Sequence, residues 1–341
     1  MSDLKWWVSC EHEVLVYLAK VKMRDFYFDP RACTKAFKEG RKRLVELFGK
    51  EIVLPNISVP HLSYGHLACL GAHVDFPENS APCVKPLFPT IDKGVETLQR
   101  KVDFSESKLF KHFYKIYQHL KKEFPEEKVS IYGFGWEGPV TSAVMLRGKA
   151  FLADLYRTPH KAEKFLDLLT DSIIEYVYFL RRLMGEPEVN PSSTGLCDDC
   201  AAYIPPRLWD RFVLPYWNKY FSNLTKGKRH VHVEGLYPQH LKYLEKAHIS
   251  HYDPSISPKL TPKIISSTIK IPFSWRLPSF QYPYMAPSDI EKWVYKSYEE
   301  GARELYTVVE PLMCTKENIT KVKTFIKTCK KLKENNPAQD T

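Results

Sequence analysis

No apolar run in this 341-residue chain approaches the length of a membrane-spanning helix. That leaves no reason to expect a membrane protein. The opening stretch Met1-Ser2-Asp3-Leu4-Lys5-Trp6-Trp7 lacks the charged, apolar and small-residue regions of a signal peptide. The expectation is therefore a cytoplasmic chain with free thiols. Eight cysteines are scattered along it, and Cys197-Asp198-Asp199-Cys200 is a lone CxxC. Without a second CxxC or thioredoxin-like flanks, it reads as a structural pair. The run Tyr132-Gly133-Phe134-Gly135-Trp136-Glu137-Gly138-Pro139 lacks the spacing of GxGxxG, and no Walker lysine follows. There is no internal repeat, no low-complexity tract and no clear linker. Net charge is +10, but Lys and Arg are spread over helix-like segments rather than clustered. A nucleic-acid partner needs such clustering. The densest run, 321–333, reads as the solvated face of a last helix.

What is present is alternation. Strand-like runs fall at 51–55, 72–76, 129–134, 193–197, 230–233, 249–252, 269–275 and 305–309. Helix-period segments lie between most of them, as at 108–124, 161–183, 238–247 and 288–301. Pro159 suits a helix start, and Ser288 with Glu291 has capping-box spacing. Strands alternating with helices predict parallel βαβ units. About eight of them predict an α/β fold of the (β/α)8 TIM-barrel type. We expect one domain over 1–341, with 1–50 as an N-terminal helical extension.

The segment Arg229-His230-Val231-His232-Val233-Glu234-Gly235 alternates polar and apolar residues. In a strand, His230, His232 and Glu234 share one face, and Val231 and Val233 the other. Buried polar groups are paired or bind something. His230 and Glu234 stand roughly 13 Å apart along a strand, so His230 belongs to a deeper layer. His232 and Glu234 are candidate zinc ligands, although from these residues alone a hydrogen-bonded His–Glu pair without metal is the stronger reading. Glu310, stopped by Pro311 at the end of 305–309, is a third candidate ligand or a general base. Cys314 is more simply an inert thiol. Asp198 and Asp199 follow a strand-like run and can bind a substrate or orient a histidine; the plainer reading is a helix cap. Tyr132 and Trp136 could face a large flat ligand or fill a core. His61, His66 and His73 read as structural.

Several stretches resemble one superfamily in order. Gly138-Pro139-Val140-Thr141-Ser142-Ala143 with Leu146-Arg147-Gly148 resembles its GPxTxA…LRG segment. Asp154-Leu155-Tyr156-Arg157-Thr158-Pro159 resembles its DLxxxP helix entry. Asp198-Asp199-Cys200-Ala201-Ala202 with Pro205, then Phe212-Val213-Leu214-Pro215-Tyr216, resembles another block. Thr315-Lys316-Glu317-Asn318-Ile319 resembles the closing TPxENI. Together they span about 55–323 and resemble the uroporphyrinogen decarboxylase superfamily, whose fold is a (β/α)8 barrel. True decarboxylases carry an arginine-rich RQAGRY-like segment, and 5–22 has none. The other branch holds zinc-dependent methyltransferases that work with a corrinoid protein and carry His-x-Cys-Gly. His232 and Gly235 match that motif, but Glu234 stands in the place of its cysteine.

The resemblance implies a methyltransferase that passes a methyl group between a corrinoid on a partner protein and a small molecule. A zinc ion at His232, Glu234 and Glu310 would assist, Asp198, Asp199 and Glu310 would be catalytic, and Tyr132 and Trp136 would meet the corrin ring. The alternatives are a decarboxylase or lyase acting on a carboxylated substrate, or a non-catalytic corrinoid- or tetrapyrrole-binding barrel.

Overall fold

The computed structural model describes residues 4–78 and 80–335. Residues 1–3, which open the stretch read for a leader, lie outside them. Among the described residues eight strands occur: β1 (Lys5–Cys10), β2 (Val74–Asp75), β3 (Cys83–Val84), β4 (Ser193–Cys197), β5 (Lys228–His232), β6 (His251–Asp253), β7 (Ser274–Leu277) and β8 (Glu304–Val309). The chain forms two compact units. One comprises Met1–Asn56, Glu234–Pro238 and Tyr252–Thr341; the other comprises Ile57–Val233 and Gln239–His251. The alternation and parallel pairing expected from the sequence are present. The pairings among the described strands fall into three sheets.

The first unit is built on a parallel sheet in the order β1-β8-β7. Leu305, Thr307 and Val309 of β8 are fully buried, and Tyr306 and Val308 nearly so. A strand covered on both faces is the usual state of a parallel sheet. Residues 1–50, expected to be a helical extension, instead begin with β1. Two tryptophans and a valine suit a pleated surface, and β1 lies in register with β8, Lys5 opposite Glu304. The following residues are helical from His12 to Phe48 apart from short breaks. The final helix, Lys316–Asn335, buries Val322, Phe325, Ile326 and Cys329. The helix Pro287–Glu299 starts two residues earlier than its capping signal suggested. Ala286 donates its N–H to Asp289 Oδ2 at 3.0 Å, so Asp289 takes the place expected for Glu291.

The second unit is organised by the helix Pro159–Met184. It opens on Pro159 and ends at Gly185, whose φ of +68° is the left-handed conformation of a helix stop. Arg181 in its last turn is buried. It donates to the carbonyl oxygens of Glu188 and Leu224 and to Thr194 Oγ1, tying the helix to β4 and to the helix Leu214–Leu224. β4 and β5 pair in parallel, Gly195 opposite His230 and Cys197 opposite His232. The expected strand at 129–134 is reduced to isolated bridges, Ser58 to Ser130 and Leu62 to Phe134. Gly133 explains why the two segments run so close: a Cβ there would lie 2.0 Å from the Val59 carbonyl oxygen. Residues 51–55 likewise form one bridge, Val8 to Ile52, in the first unit. No helix among the described residues is long and apolar enough to cross a membrane.

Candidate functional site

Three chain segments of the second unit end side by side. Gly138 N donates to Cys197 O at 2.6 Å, joining the 129–138 segment to the end of β4. Asp198 N donates to His232 O at 3.1 Å, joining β4 to the end of β5. Strand ends in an α/β fold are where loops carry chemistry. As the alternation required, Val231 is buried while His230 and His232 are half-buried. His230 packs its ring 5.7 Å from that of His251.

Asp198 is fully buried. Its Oδ1 accepts from Thr141 N at 2.6 Å, and its Oδ2 from Val140 N at 3.3 Å and Trp217 Nε1 at 2.7 Å. These backbone donors open the helix Pro139–Arg147. The residue that would ordinarily cap that helix is Gly138, which has no side chain. A Cβ on Gly138 would fall 2.5 Å from Asp198 Cβ and Cγ. The glycine therefore makes room for an aspartate from the neighbouring strand end to cap the helix. Burial pushes the Asp198 carboxyl up to about 6, against the pull of its three donors. Its oxygens are taken up by these donors, so Asp198 anchors the helix, in keeping with the helix-cap reading.

Asp199 is different. Its side chain is nearly half exposed, and Oδ1 lies 3.8 Å from Nε2 of His232. Beside them stands Glu137, which no local sequence pattern singles out. It is half-buried, and its carboxyl is pushed up to about 8. Burial is the main cause. The charge of Asp199 adds to it, a hydrogen bond with Ser63 opposes it, the charge of Asp198 adds further, and His232 opposes. Its backbone is fixed: Ser142 Oγ donates to Glu137 O at 3.1 Å. Tyr64 borders the group, and burial followed by the Glu137 charge raises its hydroxyl. A carboxyl raised to this range is protonated at neutral pH and can act as an acid. The signal available in the sequence was position. Glu137 immediately precedes Gly138-Pro139, at a turn from strand-like backbone into a helix.

Of the other expected site residues, Glu310 and Glu234 belong to the first unit. Glu310 follows β8 in the first unit. Its Oε1 accepts from Ser279 Oγ at 2.5 Å and from Arg276 at 3.4 Å. Glu234 lies beyond the end of β5, beside the turn made by Gly235 at φ +73°. Among the described residues, no three His, Cys, Asp or Glu side chains are grouped to hold a metal ion. The Glu310 carboxylate is held by a cation and a hydroxyl. Tyr132 donates to Glu186 Oε2 at 2.6 Å, and Trp136 Nε1 to Tyr220 Oη at 3.0 Å. Their rings meet edge to face at 6.3 Å, a packing arrangement rather than a ligand platform. Cys200 is pushed up to about 12 and Cys314 to about 11 by burial, so neither is a ready nucleophile. His66 is buried against Ser172 Oγ at 2.9 Å and pushed down to about 3 by burial, as a structural histidine would be.

The uroporphyrinogen decarboxylase (URO-D) family model matches residues 13–272, more than half the chain. The chain belongs to the uroporphyrinogen decarboxylase family. The comparison with curated proteins found no match. Among solved structures, a methyltransferase from Methanosarcina mazei is similar, with 16% identity and a TM-score of 0.66. That match covers 97% of this chain and 95% of the other. It establishes a shared fold over nearly the full length. A Listeria monocytogenes protein described as a vitamin-B12 independent methionine synthase matches at 13% identity, 87% coverage of each chain and a TM-score of 0.49.

Proposed function

We propose that this member of the family is a methyltransferase built on a (β/α)8 barrel. It moves a methyl group between a corrinoid carried by a partner protein and a small molecule. The observation that carries the reading is the acid–base group at the strand ends: Glu137, Asp199 and His232 beside the anchored Asp198. The full-length likeness to a methyltransferase fold supports the same reading.

Methyl transfer is a displacement in which one heteroatom gains or loses a methyl group. The corrinoid supplies the cobalt that carries the methyl. The chain must align donor and acceptor, exclude water and manage one proton. Protonated Glu137 gives that proton to a leaving heteroatom; ionised, it takes one from an acceptor. Asp199 stands beside His232, its Oδ1 3.8 Å from the imidazole Nε2. No metal is needed for the proton step, which suits a site where glutamate stands in place of the family motif's cysteine.

The experiment is spectroscopic. Purified protein is incubated with cob(I)alamin and a panel of methyl ethers, methylamines and methyl thioethers, and separately with methylcobalamin and thiols. Conversion between the two cobalamin spectra supports the reading. Carbon dioxide release from carboxylated substrates, without any methyl transfer, would replace it with a decarboxylase.

A further inference from the structure

Positive charge is dispersed along the sequence, but the fold brings two of its runs together. Residues 31–50 hold seven Lys and Arg against two Asp and Glu, and residues 316–335 hold the same numbers. Their combined excess equals the net charge of the whole chain, +10, so the rest of the sequence is balanced. Both runs belong to the first unit, where the helix Arg41–Phe48 packs against the helix Lys316–Asn335. Lys330 Nζ donates to Glu51 Oε1 at 2.6 Å and joins the turn after the first helix to the second. An open cavity of about 610 Å³ lies here. Its walls include Phe48, Gly49 and Glu51 on one side and Lys323, Lys327 and Lys331 on the other. Glu51 and Glu334 are the acidic groups in the lining, and Lys330 takes up Glu51.

Lys323, Lys327 and Lys331 stand four residues apart, so they form one stripe about 12 Å long. All three are exposed, and none makes an ion pair or side-chain hydrogen bond among the described residues. Like charges at that spacing destabilise a helix. An acidic stripe of the same spacing shows the usual remedy. Glu163, Asp167, Asp171 and Glu175 recur every four residues on the helix Pro159–Met184. Arg211 holds Glu163 at 2.6 Å, and Lys219 holds Asp167 at 2.6 Å and Asp171 at 2.8 Å. The lysine stripe has no such counter-charges among the described residues.

The spacing restricts what could supply them. Phosphates along a nucleic-acid strand recur about every 3.4 Å, against about 6 Å between these lysines. Single strands also stack their bases on exposed aromatic rings, and Phe48, the aromatic ring in the lining, is 1% exposed. A helix laid alongside with carboxylates four residues apart repeats the same rise and sets one carboxylate against each lysine. This chain's own acidic stripe is largely compensated, so a second copy matches poorly. We infer that the lysine stripe docks an acidic helical segment of a partner protein, one that presents carboxylates at four-residue spacing. Docking here is independent of methyl transfer and is measured without turnover.

The test is fluorescence anisotropy on the full chain with a labelled alanine-based helical peptide carrying glutamate at every fourth position. The comparison probes are a peptide of the same composition with unevenly spaced glutamates, a DNA duplex and tripolyphosphate. The regular peptide should bind saturably at low salt and weaken about tenfold or more in about 0.2 M salt, which screens exposed charges. The uneven peptide should bind at least about fivefold more weakly. Lys323→Gln, Lys327→Gln and Lys331→Gln together, all on exposed side chains, should leave the circular dichroism spectrum unchanged and cost about tenfold or more in peptide affinity. Lys327→Arg keeps the charge and should keep the binding. Equal binding of the two peptides, undiminished binding by the triple variant, or tighter binding of DNA or tripolyphosphate than of the regular peptide would each overturn the proposal. So would concentration-dependent dimers of the chain alone in sedimentation, abolished in the triple variant, because the occupant would then be a second copy.

Discussion

Glu137→Gln should make the folded protein more stable in alkaline solution, the reverse of what is normally expected when a site residue is replaced. The carboxyl ordinarily titrates near 4.5 and is pushed up to about 8 in the folded chain. Between those values the folded state holds a proton that the unfolded chain has released. Stability therefore falls as pH rises through that window, is unaffected below it and levels off above it. At about 1.4 kcal/mol per tenfold change in proton affinity, the full span is worth about 5 kcal/mol. Partial exposure to solvent reduces this to on the order of 2–3 kcal/mol. Glutamine has a similar shape, keeps a donor and an acceptor, and never ionises. Wild type and variant should match at pH 5, and the variant should lead by that amount at pH 9. Urea denaturation at pH 5, 7 and 9 measures it directly. Parallel loss of stability in both proteins would refute the raised carboxyl, and with it the acid role.

Three further outcomes follow from the same geometry. Asp198→Asn replaces one acceptor oxygen with a donor facing N–H groups, and should cost about 2–4 kcal/mol in urea denaturation. Gly138→Ala puts a methyl 2.5 Å from Asp198 and 2.8 Å from the Cys197 carbonyl oxygen. It should cost about 2 kcal/mol or more and prevent Asp198 from capping; a change below about 0.5 kcal/mol would show that the cap yields easily. Protein purified with zinc in the medium should carry well below one zinc per chain by elemental analysis. Stoichiometric zinc that disappears in His232→Ala would restore the metal site.

The legible parts of this chain were those whose cause is local. Pro159 opens its helix because a fixed φ and a missing N–H suit that position, and both can be read from one residue. The alternation at 229–235 correctly put Val231 in the core and His230 and His232 on the other face. The strand at 305–309 was visible as a run of β-branched, aromatic and aliphatic residues, Leu305-Tyr306-Thr307-Val308-Val309, stopped by Pro311. What was missed depends on partners distant in the chain. β1 looks like part of an irregular N-terminus until β8 is beside it, with Lys5 reaching Glu304 at 3.1 Å. Asp198 was readable as a helix cap, but not which helix it caps, because its partners Val140, Thr141 and Trp217 are distant in the chain. Glu137 looked ordinary because its carboxyl is raised by burial and by Asp199, sixty-two positions on. The contacts of Glu310 with Arg276 and Ser279, over thirty positions earlier, were equally out of reach of local pattern.

The most direct test of the central claim is the single-turnover rate of cobalamin methylation or demethylation, in wild type and Glu137→Gln, across pH 6 to 10. In the direction where a heteroatom leaves, the account predicts a wild-type rate that falls above about pH 8, as Glu137 loses its proton. The variant should be about 100-fold slower or more and show no such fall. A variant with the wild-type rate and pH profile would contradict the account.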